Sequence, residues 1–174
     1  MLILLAPLEV NEEEMVVQLN TSHRSRRTEK FRREIRNRDQ KCVISGLINP
    51  EGHMRADIWG DFQAAHIFPL QHESVWDTLG YGKLVTVDTP GRSKINSSQN
   101  GILLETAVHT KFDQYLISVN PDDNYKIVVF DLDIRGLDGR ILDPACREEN
   151  DPHRVHDEML RWHFRQSVLA NVRG

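Results

Sequence analysis

The chain has 174 residues, 39% apolar and 28% charged, with a net charge of −4 at neutral pH. That composition is ordinary for one soluble globular domain with elaborations, and the absence of repeats or long low-complexity tracts excludes solenoid and disordered classes. Cys42 and Cys146 are too few and too far apart for a disulfide framework or a Cys-x-x-Cys zinc knuckle, so an intracellular, reducing setting in cytosol or nucleus is expected.

The opening MLILLAPLEV has no leading positive charge, is too short to span a bilayer and runs into Asn11-Glu12-Glu13-Glu14, so residues 1–20 read as a docked arm and no membrane association is expected. From His23 to Lys41 there are nine Lys or Arg against three acidic residues. That segment is about +6 and leaves the rest of the chain near −10, a polarity that suits a polyanion-binding arm on an acidic body. Residues 21–40 carry a basic helix, capped at Thr21 or Ser22, whose narrow apolar stripe is Phe31 with Ile35. The other reading of the same charges is a solvated face.

KCVIS, 41–45, is a short strand candidate closed by Gly46, and Phe62 to Phe68 is a second strand. Residues 74–81 read as helical turns around Trp76, and 88–99 as a loop. Asn100-Gly101 is a tight-turn signal before the strand Ile102-Leu103-Leu104, and Glu105 to Tyr115 follows as a helix packed through Val108, Phe112 and Tyr115. Ile117–Val119 and Tyr125–Asp131 alternate about the turn 120–124 as a hairpin. Asp151 and Pro152 announce a last helix to about Val172, with Val155, Met159, Trp162, Phe164, Val168 and Leu169 as docking positions.

The stretch QAAHIFPL, 63–70, ends a strand on His66 and stops it with Pro69. A histidine held at a rigid strand end is placed for proton transfer, since its pKa lies near neutrality, although a core or edge histidine has the same local look. Downstream, His109 and Asp113 stand at i, i+4 on one helix face with Glu105 a turn earlier, a spacing that suits either a shared divalent cation or a simple ion pair. His72, His153, His156 and His163 fall in a loop and the last helix, where solvated histidines are expected.

The motifs CVISG (42–46), AAHIFP (64–69) and NGILLETAVHTKFD (100–113) together resemble the HNH endonucleases, in the branch with an AAHI-type first motif. The resemblance covers about residues 31–120. It implies an α+β fold with a ββα-metal finger over a 41–120 core; the hairpin and terminal helix of 121–174 lie outside the resemblance and are expected to pack on that core within a single domain. It implies His66 as general base, Asn100 as the brace of the loop joining the two strands and His109 as a metal ligand. Where many such nucleases place an aspartate before the base, this chain has Ala65. Asp113 is then the expected second ligand, with Glu105, Gln63 and Asp61 as weaker candidates.

The implied activity is metal-dependent hydrolysis of DNA phosphodiesters, leaving 5′-phosphate and 3′-hydroxyl ends. Phosphodiesters resist attack, so one group must deprotonate water while a cation neutralises the phosphate and departing oxygen. Mg²⁺ is expected first, and Mn²⁺, Ni²⁺ or Zn²⁺ also suit a His–carboxylate site with open positions. DNA would be gripped through Arg32, Arg33, Arg36 and Lys111, or over the loop cations Lys83, Arg92 and Lys94. A single finger cuts one strand, so double-strand cleavage calls for a homodimer or successive nicks. The alternative is an inactive HNH-fold module that binds nucleic acid or protein.

Overall fold

The structure is a computed structural model that describes residues 28–172; the expected arm at 1–20 and the segment 21–27 lie outside the described residues, as do 173–174. Helix α1 covers 28–39 of the described chain. Its Phe31 and Ile35 are fully buried, as the i, i+4 stripe requires. The stripe continues one turn on with Arg38 and Asp39, a buried ion pair. The Asp39 carboxylate takes Arg38 Nε at 2.6 Å and Nη2 at 3.0 Å.

KCVIS does not form the expected strand. Gly46 N–H donates to the Cys42 carbonyl at 2.8 Å and Cys42 N–H to the Leu47 carbonyl at 2.8 Å, closing a tight turn instead. Val43 and Ile44 are buried for packing, and only Val43 N–H reaches a neighbouring strand, at Leu103 O, 3.1 Å away. Helix α2 (Glu51–Arg55) follows.

Strand β1 (Phe62–His66) pairs antiparallel with β2 (Gly101–Glu105), placing His66 opposite Gly101 and Phe62 opposite Glu105. Between them run helix α3 (Glu73–Leu79), which buries Trp76, and a long loop. The tight turn expected at Asn100-Gly101 is a 3₁₀ turn over Ser98–Asn100, and Gly101 is extended at φ −151° as the first residue of β2. Its glycine is required by contact: a Cβ there would stand 2.6 Å from the Phe31 ring and closer still to Ile35. The short strand is buried along its whole length, which explains its unbroken apolar run.

Helix α4 (Thr106–Asp113) leaves β2 without a loop and buries Val108 and Phe112. Strands β3 (Ile117–Asn120) and β4 (Lys126–Val129) pair antiparallel, and helix α5 (Asp157–Val172) packs on β3. This last helix starts later than Asp151, because the preceding backbone is committed elsewhere. Val155 N–H donates to Cys146 O at 2.8 Å and His156 N–H to Gln99 O at 3.0 Å. Its buried face is Met159, Leu160, Trp162, His163 and Ser167, while Leu169 is exposed and Phe164 and Val168 are half-buried.

His163 is therefore a core residue, contrary to the solvated histidine expected there. It bonds Ser118 Oγ at 2.7 Å and the Phe112 carbonyl at 3.0 Å, and its ring stacks on Phe112 at 3.7 Å. Burial pushes its pKa down to about 4, so it stays neutral and ties α5 to α4 and β3. Both cysteines are buried and unbridged. Among the described residues no helix is long and apolar enough to cross a membrane.

Candidate active site

The end of β1 and the outer face of α4 enclose a cleft of about 360 Å³ lined by Ala64, His66, Pro69, Leu70, Gln71, His109 and Asp113. The strand pairing explains the meeting: β2 returns alongside β1 and passes straight into α4, so His109 and Asp113 are carried back over the strand that bears His66.

His66 is gripped from two sides. Its ring lies parallel to Phe31, with centroids 4.1 Å apart and planes 9° apart, and its Nε2 bonds the Asn96 side-chain oxygen at 2.9 Å. Burial holds its pKa below the ordinary histidine value, a change only partly opposed by the Asn96 bond and the Asp113 charge. The imidazole is accordingly neutral at physiological pH, the state a base requires.

Asn100 is fully buried and touches backbone on both sides of the long loop. Its Oδ1 accepts from Phe68 N–H at 2.8 Å, and its Nδ2 donates to Phe68 O at 3.1 Å and Ile95 O at 3.0 Å. Its own carbonyl takes Ile67 N–H at 3.0 Å. It thus fastens the exit of β1 to the entry of β2, which positions His66 without entering the cleft.

His109 has both ring nitrogens engaged: Nδ1 meets Gln63 Oε1 at 2.5 Å and Nε2 meets Asp113 Oδ2 at 3.1 Å. An amide oxygen only accepts, so Nδ1 carries the hydrogen. In a neutral ring Nε2 then presents a lone pair to a carboxylate oxygen, and two acceptors face each other. A proton or a cation relieves that opposition, and a divalent cation suits an imidazole and a carboxylate open to solvent. Gln63, expected as a weaker ligand, instead orients His109.

The other acidic candidates are placed differently. Glu105 is tied to Arg135 and to Ser45 Oγ, bonds that hold its carboxyl below the usual range against the opposing effect of burial. Asp61 is exposed, and its carbonyl accepts from Thr106 N–H at 3.0 Å. Among the described residues no group of three or more His, Cys, Asp or Glu is poised around a common metal position. Of the remaining histidines, His72 is exposed and His153 bonds Ser98 Oγ at 2.8 Å, outside the cleft.

The basic helix divides its charges. Arg32 and Arg33 are exposed, and Arg36 lies over the Trp59 ring at 5.2 Å, in a second hollow of about 560 Å³ that also includes Glu29 and Asp57. Arg36 Nε has no hydrogen-bond partner, the one such buried side-chain atom among the described residues. Arg38 turns inward and donates to the carbonyls of Ser98, His153 and Gly101 at 2.7–2.8 Å. Lys111 sits 3.5 Å from the Asp131 carboxylate, beside Leu132 and Arg135, and does not line the His66 cleft. Asn96 and the Arg38–Asp39 pair were not singled out by the sequence patterns. The helical spacing of 38 and 39 from Phe31 and Ile35 is the signal that could have found the pair.

Residues 42–120 match a family model described as HNH endonuclease, a stretch that contains His66, Asn100, His109 and Asp113. This region is similar to a nuclease family, which supports a nuclease function for it. A solved structure titled modification dependent TagI restriction endonuclease aligns at a TM-score of 0.47 and 17% identity, over 79% of this chain and 37% of that one. The chain thus spans little more than a third of that protein's length. No curated protein matches the chain.

Proposed function

We propose that the protein is a metal-dependent endonuclease that hydrolyses DNA phosphodiesters at the cleft between β1 and α4, using a ββα-metal finger made of β1, β2 and α4. The observation that carries this reading is the convergence of a rigidly held His66 with the His109–Asp113 pair in one cleft, inside the stretch that matches the nuclease family. In this reading the hairpin and α5 are additions to the finger, the setting is intracellular, and double-strand cleavage proceeds through a homodimer or through successive nicks.

His109 and Asp113 would hold the divalent cation, Mg²⁺ first, with Mn²⁺, Ni²⁺ or Zn²⁺ as alternatives. When bound, that cation supplies charge neutralisation at the phosphate and the departing oxygen. With Nε2 committed to Asn96, His66 takes the proton of the attacking water at Nδ1. The water oxygen bonds to phosphorus as the bond to the 3′-oxygen breaks, and that oxygen takes a proton from solvent, leaving a 5′-phosphate and a 3′-hydroxyl. Phe31 and Asn96 hold the base, Asn100 holds the loop, and Gln63 holds His109.

The direct test is nicking of supercoiled plasmid by the purified full chain with Mg²⁺, Mn²⁺, Ni²⁺ or Zn²⁺, with EDTA as control. Conversion to open circles that EDTA abolishes is expected; no conversion with any ion returns the protein to a binding module.

Ligand loss separates the metal pair from a plain ion pair. His109→Ala is expected to lose measurable cation binding in calorimetric titration, and Asp113→Ala to weaken it about 10- to 100-fold, since one protein ligand and waters remain. Unchanged affinity in both variants contradicts the metal assignment.

DNA would lie along the exposed cations of α1, because the rest of the chain is acidic. Reversing Arg32, Arg33 and Arg36 to Glu is expected to weaken binding of all duplex sequences alike and to flatten the slope of log affinity against log salt by about one unit per lost phosphate contact. Phe31 and Ile35 stay in place, so α1 still docks. Fluorescence anisotropy at several salt concentrations reads this; an unaltered slope moves the path to Lys83, Arg92 and Lys94, with Lys111 as a further candidate.

A further inference from the structure

We propose that Asn96 is a positioning residue for His66: it holds the imidazole in the tautomer that carries hydrogen on Nε2 and so makes Nδ1 the basic atom. The inference rests on the nuclease reading for its consequence but not for its geometry. The Asn96 oxygen lies 2.9 Å from His66 Nε2, and an amide oxygen can only accept, so the hydrogen of that bond belongs to the ring. Free histidine in water mixes its two neutral tautomers, and a partner at one nitrogen selects between them.

Two further features make the selection rigid. Parallel contact with Phe31 keeps the His66 ring in one plane, and a half-turn within that plane would bring a ring carbon, not Nδ1, to the position facing Asn96. Asn96 is itself held by its neighbours. Ile95 is buried and its carbonyl receives Asn100 Nδ2 at 3.0 Å, while Ser97 N–H donates to Lys94 O at 3.1 Å across a turn whose Lys94 has φ +59°. A non-glycine residue in that left-handed region is held there by its surroundings. The two asparagines act in series: Asn100 fastens the backbone beside Asn96, and Asn96 fastens the ring.

This arrangement also divides the two histidines of the cleft. His66 bears its hydrogen on Nε2 and His109 on Nδ1, each because a side-chain amide oxygen, Asn96 or Gln63, accepts it. For His66 that leaves a defined lone pair at Nδ1.

The test uses the full chain labelled with ¹⁵N, with long-range proton–nitrogen correlation spectra to read the Nδ1 and Nε2 shifts of His66 at a pH where the ring is neutral. The native protein is expected to show Nε2–H alone. Asn96→Ala should shift His66 toward a mixture, and Asn96→Asp, which keeps an accepting oxygen, should restore Nε2–H. In plasmid nicking, kcat of Asn96→Ala should fall about 10- to 100-fold with KM little changed, the scale on which losing a partner that orients an imidazole acts. A native His66 with hydrogen on Nδ1, or an Asn96→Ala variant still wholly Nε2–H, overturns the proposal. If the tautomer shifts but nicking is unchanged, the positioning stands and the role of His66 as base falls, so the two failures are told apart.

Discussion

Replacing His66 by alanine is expected to lower DNA cleavage by about two to four orders of magnitude, the range over which a positioned general base acts. DNA and cation binding should persist, because the basic face of α1 and the His109–Asp113 pair are separate from the imidazole. The fold should also persist: alanine precedes the position twice, and the ring lost is a half-buried one at a strand end. The pH dependence carries a defined sign. A base must be unprotonated, and burial places the His66 pKa below the ordinary histidine value, so activity should fall only as the pH drops below that value. Single-turnover nicking by both proteins across pH 5 to 8 measures this. Near-native cleavage by His66→Ala would sink the assignment of the base.

The largest effect on stability is expected at Asp39. Its carboxylate has no solvent exposure, receives two bonds from Arg38, and accepts Leu103 N–H at 2.8 Å. Asp39→Ala leaves a buried guanidinium uncompensated and a β2 amide unpaired, a loss of about 3–5 kcal/mol. At roughly 2–4 °C per kcal/mol for a chain of this size, Tm should fall by about 6–20 °C. The double variant Arg38→Met with Asp39→Leu should recover only part of that loss, because the uncompensated charge is gone but the carbonyls of Ser98, His153 and Gly101 and the Leu103 N–H are left unpaired. Thermal unfolding followed by circular dichroism decides it, and a drop of under about 2 °C in the single variant would show that the pair is not the clamp of α1. The consequence reaches the cleft: α1 supplies Phe31, the ring that lies on His66, so a loosened helix also loosens the base.

The elements around the cleft were legible in the sequence wherever one local pattern decided them. The unbroken apolar run of β2, the alternation in β3 and β4, and the i, i+4 spacing of Phe31 with Ile35 and of His109 with Asp113 are properties of neighbours along the chain, and the order His66, Asn100, His109 is a property of the string itself. The tertiary structure decided what each polar group faces. That Asn96 meets His66 and Gln63 meets His109 depends on antiparallel register across 30 and 46 residues, which no local periodicity encodes. The same holds for Arg38, one cation among nine in its segment, which is buried because its helical position continues the apolar stripe into the carbonyls of Ser98, Gly101 and His153. KCVIS has the composition of a strand, but a strand also needs a partner edge, and the turn at Gly46 leaves it only one backbone bond to β2. His163 looked like a helix-surface histidine until Ser118 and Phe112 closed around it, because burial is set by what packs from elsewhere in the chain.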